Sequence, residues 1–247
     1  QLIFEDISLD GNDHVAGKLV WVTASSGNAS GNHLFSRTAF LNAQIGIQFG
    51  SNAGTITSAD TEYSGCLFRD TTIGVKTINN QSVNHNLHNV SFGGTILIAF
   101  HCQLGGDIRW VGGSGTIQTD STILKIGDES ANGALGDNAS TVYISGWRFE
   151  SEDEWPILID TTEGVGTCTI EAHSISDAQG NQDNSDAPTN GMFQLSAGTS
   201  LTVFSSRLSK RFLANLTGSN SRDTRLTLVE CILPTLWYQK FTPSFQS

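Results

Sequence analysis

The chain has 247 residues, 26 of them glycine, and only 15% are charged, against about 25% in an average soluble domain, a composition that excludes an α-helical bundle. No run approaches the roughly 18 consecutive apolar residues that span a bilayer, so no membrane insertion is expected. Thirteen Lys and Arg against 24 Asp and Glu give a formal net charge of -11, a field that repels a phosphate backbone and argues against nucleic acid as a partner.

In chain order, the predicted elements are short strands that resemble one another. Residues 36–47 (SRTAFLNAQIGI) and 64–75 (SGCLFRDTTIGV) share Ser, Phe, Ile and Gly at the same places in the two copies. Looser copies follow at 87–98 (LHNVSFGGTILI), 142–149 (VYISGWRF), 201–208 (LTVFSSRL) and 226–233 (LTLVECIL). Each places apolar residues at every second position and ends in Gly, Asn, Ser or Asp, which is strand periodicity followed by turn chemistry. A repeat period that varies with loop length within the solenoid range fits one coil per repeat, whereas a sandwich shows turn signals at a much shorter and more regular spacing. The expected fold is all-β, a single-stranded right-handed parallel β-helix over residues 1–233, with an aromatic capping segment at 234–247 holding Trp237, Tyr238, Phe241 and Phe245. A coil cannot bury its apolar face alone, so stacked coils form columns from equivalent positions.

Phe40, Phe68, Phe92, Trp110, Phe149, Leu208 and Leu233 are taken as one inward column. Two residues earlier on the same strand face lie Thr38, Cys66, Val90, Ile108, Trp147, Ser206 and Cys231, mostly small or apolar. Cys66 and Cys231 then sit several coils apart, beyond the Cα separation of about 7 Å that a disulfide tolerates, and all four cysteines are expected as free thiols. The intervening outward position contains Ala39, Leu67, Ser91, Arg109, Arg148, Arg207 and Ile232, and the next outward one contains Leu41, Arg69, Gly93, Val111, Glu150, Ser209 and Pro234. Three arginines in one outward row, with Glu150 beside Arg148, either decorate a solvated surface or mark where an extended polymer lies.

The Asn-rich residues 79–89 read as a turn column. His85 and His88 lack the further ligand of a metal site, and Asp177, Asp183 and Asp186 lack calcium-loop spacing, so no cofactor or metal is expected. The chain opens on Gln1 and its only methionine is Met192, which reads as a piece of a longer or processed chain.

IFEDISLDGN (3–12), the CLFRDTTIGV coil from Cys66 and ISGWRFESEDEWPILID from Ile144 together resemble the right-handed parallel β-helix of the pectate-lyase-like superfamily, and within it the tail spikes and tail fibres of bacteriophages. The resemblance implies a homotrimer on the virion tail that binds, and in many cases cuts, bacterial surface polysaccharide. The Asn-Thr-Asp, Asp-Asp and Gly-His-Gly triplets of the polygalacturonase branch are absent. Three functions follow as expectations: a receptor-binding or structural tail module, a polysaccharide depolymerase, or a secreted β-solenoid adhesin. Binding is assigned to Arg109, Arg148, Arg207 and Trp155. If the chain is an enzyme, the acid and base come from Glu150 with Asp153 or Glu152, because glycoside hydrolysis needs two carboxyl groups flanking the bond.

Overall fold

A computed structural model describes residues 1–23, 30–50, 58–78, 83–103, 106–117, 121–127, 140–151, 157–162, 167–177, 191–196, 198–208, 212–219, 224–233 and 238–244. Among these, nineteen strands form one parallel sheet wound into a solenoid, and there is no helix. One row of in-register residues runs Ile3, Leu34, Glu62, Asn86, Arg109, Tyr143, Glu171, Thr202 and Thr227, one from each of nine successive coils. The length of chain between successive members is unequal, shortest from Asn86 to Arg109 and longest from Arg109 to Tyr143.

Each coil has three faces. In coil 2 the first is Ser30–Ser36, and the strand Ala39–Phe49 supplies the second with residues 39–41 and the third with residues 45–49. Side chains alternate in and out along each face, and the inward set forms one core from Val20 to Leu216. On the second face Phe40, Phe68, Phe92 and Phe149 are buried, and so is Leu208. The first three rings stack at 4.6 and 5.1 Å with interplanar angles of 9° and 11°. This stack explains the repeated Ile-Gly pair. A Cβ on Gly46 would meet the Phe68 ring at 2.8 Å, and one on Gly74 would meet the Phe92 ring at 2.7 Å, so only glycine lets the phenyl column pass.

The corner between the first and second faces is a single residue in the left-handed conformation in every coil: Asp6, Arg37, Gly65, Asn89, Gly112, Gly146, Ser174, Ser205 and Glu230. For a residue with a side chain this costs about 1–2 kcal/mol. The backbone stays satisfied there, because the corner N–H of Asp6, Arg37, Gly65, Ser174 and Ser205 donates to a carbonyl of the next coil. The inward residue just after the corner carries a donor in several coils. Thr38 Oγ1 and Cys66 Sγ donate to the carbonyls of Phe4 and Phe35, and Cys231 Sγ does so to that of Val203. Cys66 and Cys231 thus occupy the place of a hydroxyl residue. All four cysteines are free, with Cys66, Cys102 and Cys168 buried and Cys231, in the last coil, only half-buried.

Two sequence expectations are corrected. Trp110 does not belong to the phenylalanine column. It lies on the first face, in register with Leu87 and Ile144, and Gly115 stands opposite Phe149 instead. The second-face strand of coil 5 offers only Gly113 and Gly115 inward, and the Trp110 ring swings over that gap, 6.1 Å from Phe149 and 4.6 Å from Trp147. The Asn-rich stretch is likewise more than a turn. Val83–Gly93 is a strand, with only Asn84 and Asn89 in left-handed corner positions. At the far end Tyr238–Ser244 pairs in parallel with Phe212–Ser219, so the sheet continues beyond residue 233.

Candidate functional site

The outward row of the second face runs Ser8, Ala39, Leu67, Ser91, Ser114, Arg148, Ser176, Arg207 and Ile232. Arg148 and Arg207 therefore share a row two coils apart, about 9.6 Å at the usual strand spacing, with the half-buried Ser176 between them. Arg109 is not in that row. The shift of Trp110 carries it to the first face, where its guanidinium lies 5.8 Å from the centre of the Tyr143 ring. Three arginines in one column thus become two in one row and one around the corner.

Arg148 and Glu150 point outward from one strand of coil 6, with Nη2 and Oε1 3.5 Å apart and side chains 68% and 40% exposed. Such a pair is screened by water and contributes little to stability. Glu150 is in register with Thr116, and its row otherwise contains one described acid, Asp10, five coils away. The row alone therefore places no second carboxylate at the about 5 to 9.5 Å that glycoside hydrolysis requires. Glu152, Asp153 and Trp155 lie outside the described residues.

The corner beside this face is low in coils 5 to 8, where its residues are Gly112, Gly146, Ser174 and Ser205. In the first two coils it is instead occupied by Asp6 and Arg37, joined through two hydrogen bonds of 2.6 and 2.7 Å. That contact holds the Asp6 carboxyl below its ordinary value and the Arg37 guanidinium above its own.

On the other side of the low corner is a feature that the sequence pattern missed: an outward ladder of Tyr143, His173 and Phe204. Tyr143 and His173 are 5.3 Å apart, and the His173 and Phe204 rings stack at 4.6 Å and 8°. His173 and Phe204 stack face to face across neighbouring coils, whereas Tyr143 is tilted by 34° to His173 and stays exposed. Correct placement of Trp110 would have revealed the ladder, since Arg109, Tyr143 and Glu171 occupy one outward row and Val111, Ser145, His173 and Phe204 the next. Among the described residues no group of three or more His, Cys, Asp or Glu is arranged to hold a metal ion. No family model matches the chain, and neither do any curated proteins or solved structures.

Proposed function

We propose that this solenoid is a rigid module that binds an extended bacterial surface polysaccharide along its second face, as a receptor-binding segment of the tail-spike or tail-fibre kind. The observation that carries the reading is the pair of exposed arginines, Arg148 and Arg207, in one row with the half-buried Ser176 between them, beside a corner reduced to glycine and serine. A polymer lying parallel to the solenoid axis meets two guanidinium forks and no protruding side chain at that corner. In a chain of net charge -11 these forks select acidic sugars, whose carboxylates they hold by paired hydrogen bonds. A homotrimer belongs to the same proposal, since assembly would cover exposed apolar side chains away from this row, Trp21 and Leu97 among them.

The test is incubation with a panel of acidic and neutral bacterial capsules and lipopolysaccharides, scored separately for binding and for released oligosaccharide. Binding of an acidic glycan is expected, weakened several-fold by Arg148→Ala and by Arg207→Ala, because a charged hydrogen bond contributes about 1.5–3 kcal/mol at most. Glu150→Gln is expected to leave binding intact. Release of oligosaccharide that Glu150→Gln abolishes would replace the binding module by a depolymerase. Binding that neither arginine variant changes would remove the site from this face.

A further inference from the structure

The interior of coils 2 to 4 holds a polar group that packing does not require. His33, Thr61 and His85 are in register with one another and with Ile108, and the row continues through Val142, Ile170 and Leu201. Aliphatic residues fill this position from coil 5 to coil 8, and two buried histidines fill it in coils 2 and 4. His85 has no exposed surface. Its ring lies 5.4 Å from both Phe49 and Phe100, edge to face, and stacks on Tyr63 at 6.1 Å. Its Nδ1 is hydrogen-bonded to the Tyr63 hydroxyl at 3.2 Å, whereas its Nε2 and the Oγ1 of Thr61 have no partner. The titratable groups facing this interior are His33, Tyr63, Cys66 and Cys102, and among the described residues no Asp, Glu, Lys or Arg is buried. An imidazolium formed here meets no counter-charge and keeps one N–H unbonded, a combination that a dry interior does not tolerate.

We propose that coils 2 to 4 are an acid-operated weak segment, in which proton uptake by His85 opens the rod locally while coils 6 to 8 stay closed. His33 reinforces it. The backbone N–H of Leu2 donates to His33 Nδ1 at 3.2 Å, so a proton on that nitrogen would break one of the ties at the start of coil 1, the Leu34 N–H bond to the Leu2 carbonyl being another. This device is independent of the glycan reading and survives its failure.

Burial pushes the His85 imidazole down from its ordinary 6.5 to about 3. The opened state takes up its proton below pH 6.5 and the closed state only near pH 3. Stability is therefore complete above about pH 6.5 and declines as the pH falls toward 3. At pH 4.5 opening is favoured roughly a hundredfold over pH 7.5. Amide hydrogen exchange of the whole chain, corrected for intrinsic rates, reads this directly. Acceleration on the order of a hundredfold is expected over residues 83–103 and the flanking coils between the two pH values, with little change over 140–151 and 198–208. His85→Ile, the residue type of the next coil, and His85→Gln, which keeps a partner for Tyr63, should each remove most of that acceleration. Exchange at the imidazole C2 of His85 in the wild-type rod gives a readout that needs no variant, and its titration should fall well below 6.5. Ordinary titration there, equal acid sensitivity in the two halves, or unchanged acid sensitivity in a folded variant would each overturn the proposal.

Discussion

Coils 2 to 4 and coils 5 to 8 close the same three-faced cross-section with different residues. The early coils repeat one solution: Phe40, Phe68 and Phe92 stack almost in parallel along the second face, Phe35 and Tyr63 stack at 5.6 Å along the first, and Gly46 and Gly74 yield room for the rings. The later coils abandon the repeat. Trp110, Trp147 and Phe149 meet edge to face around Gly113 and Gly115, and the buried indole N–H groups of both tryptophans have no partner. Stacked rungs tolerate such local substitution because each coil contacts only its neighbours. Repetition in the early coils makes register easy to specify, whereas the later coils pair an improvised interior with a smoother exterior, and the arginine row stands there.

The largest test of this difference removes one ring from each region. Phe68→Ala strips a phenyl from between two stacked neighbours held by strands on either side, and a loss near the top of the usual range of about 3–5 kcal/mol is expected in denaturant unfolding. Phe149→Ala, flanked by tilted and edge-on rings beside Gly115, should fall at or below the bottom of that range, since Trp110 and Trp147 can lean into the space. Equal losses would mean that the two interiors are equally rigid.

A smaller effect separates packing from backbone strain. Gly74→Ala places a methyl 2.6 Å from the Ala99 carbonyl and 2.7 Å from the Phe92 ring, so about 1–3 kcal/mol is expected for overpacking. Gly146→Ala meets nothing nearer than 3.8 Å and should cost only the left-handed conformation, about 1–2 kcal/mol. Gly74→Val should then be far worse than Gly74→Ala, whereas a further change of Gly146 to Asn should recover part of the loss, because Asn visits that conformation readily.

The solenoid was legible in the sequence wherever the repeat was regular. Aligning the first two motif copies residue for residue reproduces the observed register, Ala39 against Leu67 and Phe40 against Phe68. The reading slipped by a strand face at coil 5, because a ruler based on large aromatics has no purchase where the second face carries Gly113 and Gly115. That slip moved Arg109 into the wrong row and hid the Tyr143, His173 and Phe204 ladder. The corner column was unreadable for a different reason. Left-handed turns are announced by Gly and Asn, and here Arg37, Ser174, Ser205 and Glu230 also adopt them, the first three held by N–H groups that donate to the next coil, which no local pattern records. The burial of His85 was not legible, because it falls in an Asn-rich stretch that reads as a turn column and its flanking residues, Asn84 and Asn86, are polar. Burial there is set by the coils above and below.

The corner donors offer the finest distinction. Cys66 stands where Thr38 and Ser206 stand in other coils, and its thiol donates to the Phe35 carbonyl at 3.2 Å. Burial raises the Cys66 thiol above its ordinary value, so it is a donor and not a nucleophile in the closed rod. Cys66→Ser should therefore be nearly neutral, within about 1 kcal/mol, whereas Cys66→Ala leaves a buried carbonyl without that donor and should cost about 1–3 kcal/mol. The same pair at Cys231, half-buried in the last coil, should differ less, because water can reach the carbonyl there. If serine and alanine cost the same at position 66, the thiol is merely filling space and the donor row has no energetic meaning. Thiol titration decides the accompanying point. A denatured sample should give four thiols without reductant, and in the native rod Cys231 should react first.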